Sequence, residues 1–257
     1  MLRALFLLLV ATPAFAAPRV LLLWDEKNAQ TTALQKSLEN SGLEVVLSDG
    51  NSAAYNGKNP TLTNIDVVIH MNGTTWTTEM PREGQLALVR FVQNGGGYIH
   101  HEWNAYQLTV GMLESMRQLI LFDRVSGQGP REITIKRVED GKPHPVVWEV
   151  PKVFKMNGGA NIGHVHVFAD SPALVLARDD GGNDAIAVRE YQLGRIVGFH
   201  HGGNWGVWNG GGASSLDSNE ARRLFVDSVR WAYGCDPSFR EGRREKMCAE
   251  IAAKRAK

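Results

Sequence analysis

The sequence predicts an α/β fold, a doubly wound domain built on a mostly parallel central sheet. Continuous apolar runs of strand length, such as residues 19–24, suit strands that are buried on both faces. Stretches with helical apolar periodicity, such as residues 82–93, alternate with these runs. Strands and helices that alternate over short connections are typical of doubly wound sheets.

The first part of the chain alternates between predicted strands and predicted helices. Gly42 ends the first helix, on which Ala29, Thr32, Ala33 and Leu38 are predicted to face inward. Polar segments rich in asparagine, glycine and threonine are predicted to be loops. The elements, in order, are strand 19–24, helix 28–40, strand 43–47, loop 51–63, strand 65–71, loop 72–81, helix 82–93 and strand 98–100.

The second part of the chain is predicted to add strands and to close with a helix. Alternating apolar and polar residues indicate half-exposed strands, and the apolar run at 194–201 indicates another core strand. The elements are helix 110–121, strand 131–138, turn 140–143, strands 164–168, 173–177, 185–191 and 194–201, and helix 219–233. A charged, helical tail is predicted at residues 235–257.

The composition is that of a globular protein without a nucleic-acid footprint. Hydrophobic residues make up 43% of the 257 residues and charged residues 21%, which argues against a disordered chain. The formal net charge is +1, so the sequence predicts neither a nucleic-acid partner nor tight binding to an acidic membrane surface.

Residues 1–16 have the features of a signal peptide. Arg3 precedes a short apolar stretch, and an A-x-A cleavage signature ends at Ala16. This stretch is shorter than the roughly 20 residues that span a bilayer, and no later segment resembles a membrane span. The alternative is an uncleaved anchor or a buried first strand. The predicted parts are a signal peptide at 1–16, one domain at 17–234 and the tail at 235–257 of a periplasmic or secreted protein.

The chain contains two cysteines, Cys235 and Cys248, and both lie in the tail. An exported protein meets an oxidising compartment, where paired cysteines usually form a disulfide. No histidine lies near them in the sequence, so they do not resemble a zinc site. We therefore expect a Cys235–Cys248 disulfide, with two free buried thiols as the alternative.

Ionisable residues follow several predicted strands at their carboxyl ends. The chain is organised around residues 94–104, where a glycine-rich turn and a short strand lead into two histidines and a glutamate. The carboxyl ends of parallel strands form the crevice in which α/β proteins bind ligands. Taken singly, each histidine is equally well explained as a strand-end residue bonded to a loop. The residues that share this position are Asp25, His70, His100, His101, Glu102, His200 and His201.

These residue types indicate proton-transfer chemistry, because histidine and glutamate can act as general acids or bases near neutral pH. The predicted catalytic residues are His100, His101, Glu102, His200 and His201. The predicted substrate-binding residues are Asp25, His70, Trp103, Asn204, Trp205 and Trp208. We expect His101, Glu102, His201 and Trp205 to line one pocket. Three of these residues could also ligate zinc, but their spacing matches no metal motif and no metal is predicted.

Two further features lie beside this set. His164 and His166 share one face of a predicted strand and are interpreted as half-exposed strand residues. The glycine-rich segment at 202–212 is predicted to be a mobile lid. No P-loop pattern and no G-x-S-x-G motif occurs, so neither a phosphate-binding loop nor a serine nucleophile is predicted.

Several segments together resemble the trehalose-utilisation (ThuA-like) family, which belongs to the class I glutamine amidotransferase-like fold. The resemblance spans most of residues 19–234 and implies a flavodoxin-like central sheet with additional strands late in the chain. It also implies an association with carbohydrate metabolism. The matching segments are RVLLLW at 19–24, LALVRFVQNGGGYIHHEW at 86–103, HPV at 144–146, VREYQLGRIVGFHHGG at 188–203 and RRLFVDSVRWAYG at 222–234.

The sequence departs from this family pattern at three places. Amidotransferases of this fold carry a cysteine nucleophile at a strand-to-helix elbow, whereas the comparable turn after Gly97 carries histidines, so glutaminase activity is not expected. The isolated Gly-His typical of the family is replaced by the HHGGNW run at 200–205. The acidic segment that often follows the HP motif is replaced by KMNGG at 155–159.

The sequence thus predicts an exported carbohydrate-processing enzyme with a histidine and glutamate acid–base site. The resemblance leaves the reaction open, as a hydrolase, a lyase or a protein associated with an oxidoreductase. The alternatives are a non-catalytic sugar or small-ligand binding protein on the same scaffold, and an accessory domain whose glycine loop docks a partner. The predicted ligand is a small molecule, with a carbohydrate implied by the resemblance, and the cofactor and oligomeric state stay open.

The leader predicts that the mature protein begins at Ala17. The expected result follows from the order of Arg3, the apolar stretch and the A-x-A signature. Intact mass spectrometry of protein from the exporting host measures it. Mature protein that retains Met1 would contradict signal cleavage.

Overall fold

The computed structural model describes residues 17–25, 28–129, 131–138, 141–159, 161–202, 214–235 and 248–249. Within these residues the longer elements alternate as predicted for an α/β domain. The helices are α1 (Ala29–Asn40), α2 (Arg82–Gln93), α3 (Glu102–Thr109) and α4 (Asn219–Tyr233). The strands are β1 (Arg19–Leu23), β2 (Glu44–Leu47), β3 (Val67–His70), β4 (Gly97–His100), β5 (Phe122–Gly127), β6 (Glu132–Arg137), β7 (Val153–Asn157), β8 (Gly163–Val167), β9 (Leu174–Asp179), β10 (Asp184–Tyr191) and β11 (Gly194–Phe199).

One nine-stranded sheet forms the centre of the domain, in the order β2-β1-β3-β4-β11-β10-β9-β6-β7. Its first five strands pair in parallel, and this order is that of a flavodoxin-like sheet. The four later strands extend the sheet by antiparallel pairing. Strands β5 and β8 form a separate two-stranded sheet. The predicted α/β fold with additional late strands is confirmed.

Helices cover both faces of the parallel half, which makes the domain doubly wound. On one face, Leu34 of α1 and Phe225 of α4 pack in a cluster with Ile99. On the other face, Leu88 of α2 packs in a cluster with Tyr98. Every residue of β3, β4 and β11 is buried, as expected for strands enclosed between two helical layers.

The sheet topology brings the carboxyl ends of several strands to one edge. Strands β1, β3, β4 and β11 run in the same direction because they pair in parallel. Strand β9 also runs in this direction, since β10 is antiparallel to both β11 and β9. The carboxyl end of β9, at Asp179, therefore lies at the same edge as the predicted site.

The prediction of a helix at 110–121 is wrong. The helix here is α3, and it ends before Gly111, whose φ of 83° favours glycine. A 3-10 helix at Glu114–Leu119 and the unpredicted strand β5 follow. The buried apolar run 119–122 starts at the last residue of this 3-10 helix and continues in extended form from Ile120 into β5.

Two smaller predictions about the first and later elements also need correction. On α1 the buried residues are Thr31, Leu34 and Leu38, which follow the spacing of one helix face. Of the other residues predicted to face inward, Ala29 is exposed, and Thr32 and Ala33 are half-buried. Strand β7 was not predicted. It is an edge strand that follows the HP motif. Its buried residues, Phe154 and Met156, alternate with exposed ones over only five residues.

The predicted disulfide is confirmed: the sulfur atoms of Cys235 and Cys248 lie 2.04 Å apart. Most of the remaining tail lies outside the described residues, as does the leader. Among the helices that the structure describes, none has the length and apolar character needed to cross a bilayer.

Gly97 allows α4 to approach β4 directly, so Gly97→Ala should destabilise the domain. A Cβ atom there would lie 2.6 Å from the Ala232 Cβ and 3.0 Å from the Val67 Cγ2. We expect a loss of about 1–3 kcal/mol in the free energy of unfolding, because helix and strand must separate. Urea denaturation measures it.

The control for this substitution is Gly50→Ala. Its added Cβ would lie 3.6 Å from the Ala54 Cβ, which is an ordinary contact. Equal stability of the two variants would show that close packing at Gly97 does not hold α4 in place.

Candidate functional site

The ends of β4 and β11 meet at the predicted edge. The two strands pair in parallel, with His100 opposite Gly198. Beyond the strands, the backbone N–H of Glu102 donates to the carbonyl oxygen of His201 at 3.4 Å. The two segments that carry the predicted catalytic residues are therefore adjacent in space, although about one hundred residues separate them in the chain.

His101 and His201 lie buried beside each other at this edge. The ring of His201 is 5.5 Å from that of Phe199, on the sheet face that also carries Ile99. Burial lowers the pKa of His101 well below its usual value, and the charge of His201 is the largest electrostatic contribution to that lowering. Burial likewise lowers the pKa of His201 to about 3. Both imidazoles are therefore neutral at pH 7.

These two neutral rings retain unused hydrogen-bonding atoms. Among the described residues, both ring nitrogens of His101 lack a hydrogen-bond partner, and so does the Nε2 atom of His201. An unpaired buried polar atom costs roughly 1–3 kcal/mol. A site that bound a polar ligand would satisfy these atoms.

Glu102 lies next to His101 at the first position of α3. Its Oε1 atom accepts from Arg124 Nε at 2.5 Å and from Asn161 Nδ2 at 2.9 Å. Burial raises the pKa of this carboxyl to about 7, against the lowering effect of Arg124 and Asn161. The other oxygen, Oε2, is buried and has no partner among the described residues. The carboxyl can therefore hold or release a proton near neutral pH.

His70 belongs to a closed network beneath the two neutral rings. Its Nδ1 atom lies 2.8 Å from the Tyr98 hydroxyl oxygen and 3.1 Å from Asn104 Nδ2. The Oδ1 atom of Asn104 accepts from the backbone N–H of His101 at 3.1 Å, so its amide group faces His70. We infer that Nδ1 of His70 is unprotonated. This histidine orients the turn that carries His101.

His200 and His100 each have one ring nitrogen committed to a partner. His200 Nε2 lies 3.2 Å from Asp179 Oδ2, and both side chains are fully buried. Burial raises the pKa of Asp179, but hydrogen bonds from His200 and Asn183 outweigh it and hold the pKa below its usual range. His100 Nε2 accepts from the backbone N–H of Leu121 at 3.0 Å. Both rings are thereby fixed in orientation.

Asp25, at the end of β1, holds the loop that follows β3. Its carboxylate accepts from the Gly73 backbone N–H, from the Thr75 hydroxyl at 2.5 Å and from the Ser52 hydroxyl at 2.9 Å. Burial raises the pKa of Asp25, and these hydrogen bonds offset part of that rise. Its contacts within the described residues are those of a loop anchor.

Aromatic side chains form a small cluster beside Glu102. The rings of Trp103 and Trp76 stack with centroids 5.9 Å apart, and Tyr106 packs edge-on against both. The guanidinium of Arg124 lies 4.8 Å from the Tyr106 ring centre and so links the cluster to Glu102. Trp103 is buried, whereas Trp76 is half-buried.

The remaining predictions concern the 202–212 segment and two histidines on β8. Asn204, Trp205, Trp208 and the glycine-rich segment that carries them lie outside the described residues, except for Gly202. His164 and His166 lie on the outer face of β8. In the part of the chain that the structure describes, no group of three histidine, cysteine or acidic residues is arranged to hold a metal ion.

Comparisons with solved structures identify the fold. A protein from Bacteroides uniformis ATCC 8492, described as a "putative thua-like protein", superposes with a TM-score of 0.59 at 16% identity, over 89% of this chain and 97% of that chain. The chain has this thua-like fold. No family model and no curated protein matches it.

Two other solved structures share this fold at similar TM-scores. A cytoplasmic protein from Salmonella typhimurium aligns with a TM-score of 0.55 at 14% identity, over 84% of this chain and 98% of that one. PurLQS from Thermotoga maritima aligns with a TM-score of 0.51 at 14% identity, over 84% and 99%. The flavodoxin-like α/β fold implied by the sequence resemblance is thus confirmed.

In this thua-like fold the strand-to-helix elbow is formed by β4 and α3, with His101 between them. His101 has an extended backbone, with φ of −142°. Four residues that contact the predicted ones were not predicted from the sequence: Asn104, Arg124, Asn161 and Asp179. Of these four, only Asp179 could have been predicted, because it is an acidic residue at the end of a predicted strand. Which edge of the sheet it lies at depends on the direction of β9, which the sequence does not show.

The buried neutral histidines make the free energy of unfolding depend on pH, and a substitution of His70 measures the contribution of one of them. Its pKa is about 3 in the folded protein because of burial, against 6.5 in the unfolded chain. The unfolded state therefore binds the proton first, and the free energy of unfolding falls as pH drops below about 6.5. Replacing His70 by Gln should reduce this slope by up to about 1.4 kcal/mol per pH unit between pH 6 and pH 4. Urea denaturation at several pH values measures it.

The matched control is Tyr98→Phe, which removes the hydroxyl partner of His70 and leaves the number of histidines unchanged. We expect it to lower stability by a similar amount at every pH. A His70→Gln slope equal to that of the parent chain would show that His70 takes up its proton in the folded state.

Proposed function

We propose that the chain is an exported member of the ThuA-like family and a carbohydrate-processing enzyme whose acid–base site consists of His101, Glu102 and His201. The observation that carries this proposal is the Glu102 carboxyl. It is buried, its pKa is about 7, and one of its oxygens is unpartnered among the described residues beside two neutral imidazoles.

Glu102 is the proton-transfer group in this proposal. A general acid or base works best when its pKa lies near the working pH, and the carboxyl of Glu102 meets that condition. His101 and His201 have pKa values far below neutrality, so they act as neutral hydrogen-bonding groups. A neutral imidazole can donate to a sugar hydroxyl or carbonyl oxygen and can accept from a sugar hydroxyl.

His100 and His200 are positioning residues in the same scheme. The Asp179 carboxylate accepts from His200 Nε2 and fixes the orientation of that ring. The Leu121 N–H donates to His100 Nε2, so the proton of the neutral His100 ring lies on Nδ1. These contacts hold the two rings still at the ends of β4 and β11, and with them the neighbouring His101 and His201.

Two features support a carbohydrate as the ligand. The family that the sequence resembles is associated with carbohydrate metabolism. The stacked rings of Trp76 and Trp103 contact Tyr106, which packs against Arg124, the ion-pair partner of Glu102. Aromatic faces commonly stack on the apolar faces of sugar rings. Trp76 is the more accessible of the two rings.

Glutaminase chemistry of the cysteine type is not part of this proposal. The elbow between β4 and α3 carries His101, and the chain has only two cysteines, which form a disulfide in the tail. No thiolate is therefore available as a nucleophile. Release of ammonia from glutamine is not expected.

Export is supported by the leader and by the disulfide, since disulfides persist mainly in oxidising compartments. The Salmonella structure with the same fold is described as cytoplasmic, which concerns that protein. We propose the periplasm or the extracellular space as the location of this chain.

The second candidate function is a non-catalytic sugar or small-ligand binding protein. The observation that favours it is the low pKa of His101 and His201, because rings this weakly basic are poor proton acceptors. In that case Glu102 would accept or donate a hydrogen bond without transferring its proton.

The substitution Glu102→Gln separates the two functions. Binding and turnover of a panel of mono- and disaccharides are measured by calorimetry and by NMR of the products. For an enzyme we expect turnover to fall about 10²–10⁴-fold while affinity changes little, because the amide keeps the contacts to Arg124 and Asn161 but cannot transfer a proton. The limb of the pH–rate profile near pH 7 should also disappear.

The control is Glu114→Gln, which replaces an exposed glutamate in the following 3-10 helix. It should leave turnover and affinity unchanged. Unchanged turnover in Glu102→Gln would overturn the assignment of Glu102. Saturable sugar binding by the parent chain without any turnover would favour the binding protein.

A further inference from the structure

The candidate site contains one buried carboxyl group with an oxygen that is free to exchange a proton. Asp25 and Asp179 also stand at strand ends on this edge, but hydrogen bonds occupy both oxygens of each. Glu102 differs, because its Oε2 atom is buried and has no partner among the described residues. The usual route of glycoside cleavage needs two carboxyl groups, one on each side of the scissile bond. The contacts of Asp25 and Asp179 leave Glu102 without a second carboxyl of that kind.

Asn161 holds the Glu102 carboxyl next to the segment that carries His201. Its side-chain amide donates to Glu102 Oε1 at 2.9 Å, and its carbonyl oxygen accepts from the Gly202 N–H at 2.9 Å. The backbone N–H of Glu102 donates to the His201 carbonyl oxygen at 3.4 Å. His201 in turn makes the largest electrostatic contribution to the lowered pKa of His101. The carboxyl and the two imidazoles therefore belong to one buried site.

His101 offers a hydrogen-bond donor whichever tautomer it adopts. Both of its ring nitrogens are buried and lack a partner among the described residues. Burial lowers the pKa of His101 well below its usual value, so the ring is neutral at pH 7 and carries one N–H. A neutral imidazole is a weak acid, and it therefore stabilises charge on an oxygen atom better than it protonates a leaving group.

The charges around Glu102 favour an uncharged ligand. Among the described residues, Arg124 is the cation that reaches this carboxyl, and the two side chains form a buried ion pair. The guanidinium of Arg124 also packs against the Tyr106 ring. A sugar phosphate or a uronate would add a second negative charge beside Glu102, and Arg124 is already paired. A buried charge without a partner is costly.

We propose that the substrate is an uncharged sugar with a free carbonyl group, and that Glu102 moves the proton on the carbon next to this group while His101 donates to the carbonyl oxygen. This inference rests on the acid–base function proposed above and names its substrate class. Proton transfer next to a carbonyl needs one carboxylate base and one neutral donor at the oxygen. The unpartnered atoms of Glu102 and His101 supply these two groups.

The proposed step is balanced without a second substrate. The Glu102 carboxylate takes the proton from the carbon next to the carbonyl, and the electron pair of the broken C–H bond forms the C=C bond of an enediolate. The π electrons of the carbonyl move to the oxygen that accepts from His101. Return of the proton to the same carbon restores the sugar. Return to the former carbonyl carbon, with transfer of the hydroxyl proton to the carbonyl oxygen, interconverts aldose and ketose.

Proton NMR of sugars incubated with the full chain in deuterium oxide tests the proposal. The probes are D-glucose, D-fructose and dihydroxyacetone, and the control is methyl α-D-glucopyranoside, which has no free carbonyl. We expect at least one probe to lose the signal of the proton next to its carbonyl faster than in a sample without protein, because Glu102 exchanges its proton with the solvent. The control should keep all of its C–H signals. Absence of exchange in every probe overturns the proposal.

Two substitutions of His101 separate hydrogen-bond donation from packing. His101→Gln keeps an N–H donor, whereas His101→Phe keeps a buried ring without a donor. We expect exchange to slow about 10²–10³-fold in His101→Phe and about tenfold or less in His101→Gln. Circular dichroism checks that both variants fold. A His101→Phe variant that exchanges as fast as His101→Gln overturns the role of the imidazole as a donor.

The matched control is His164→Gln on the outer face of β8, which should leave the exchange rate unchanged. Glu102→Gln should slow exchange at least about 10²-fold, because the amide cannot accept the proton.

The outcomes separate this inference from the proposed acid–base function. Cleavage of a glycoside that depends on Glu102, without exchange in any probe, overturns the carbonyl substrate and leaves the acid–base function in place. Exchange that persists in Glu102→Gln overturns both, since another group then moves the proton. Saturable sugar binding with neither exchange nor turnover also overturns both, and it favours the binding protein.

Discussion

The parallel pairing of β4 with β11 is the constraint on which the rest of the structure depends. It places His100 opposite Gly198 and brings the two histidine pairs to one edge. A slip of one residue would turn every side chain on either strand to the other face. The register is held by close contacts at glycine: a Cβ at Gly194 would lie 2.2 Å from the Val92 carbonyl oxygen. Two strands distant in sequence can therefore share one site.

The site itself is a set of buried polar groups in which most atoms have a partner and a few do not. Asp179, Asn104 and the Leu121 N–H fix the rings of His200, His70 and His100. Such contacts make burial tolerable, because an unpaired polar atom in the interior is costly. Among the described residues of the site, His101, Glu102 and His201 keep unpartnered polar atoms, as do the Nδ1 atoms of His100 and His200. Burial keeps the imidazoles of His101 and His201 neutral and raises the pKa of Glu102.

Elements whose pattern lies in consecutive residues were predicted correctly, and elements that depend on tertiary packing were not. Helices α2 and α4 were predicted with the bounds they have, since their apolar periodicity and their ends are written in consecutive residues. The prediction failed after Thr109, where a 3-10 helix at Glu114–Leu119 and a buried extended segment that leads into β5 replace the predicted helix. Periodicity alone does not distinguish a buried extended segment from a short buried helix, because both are apolar throughout.

The sequence by itself determined which residue types stand at the strand ends, because strand-length apolar runs and the ionisable residues after them are local features. Only the tertiary structure decided which of these residues meet and in which protonation state. Arg124 and Asn161 reach Glu102 from distant segments, and Asp179 reaches His200 because β9 runs parallel to β11. Partners, tautomers and pKa values depend on burial and long-range pairing, which consecutive residues do not encode.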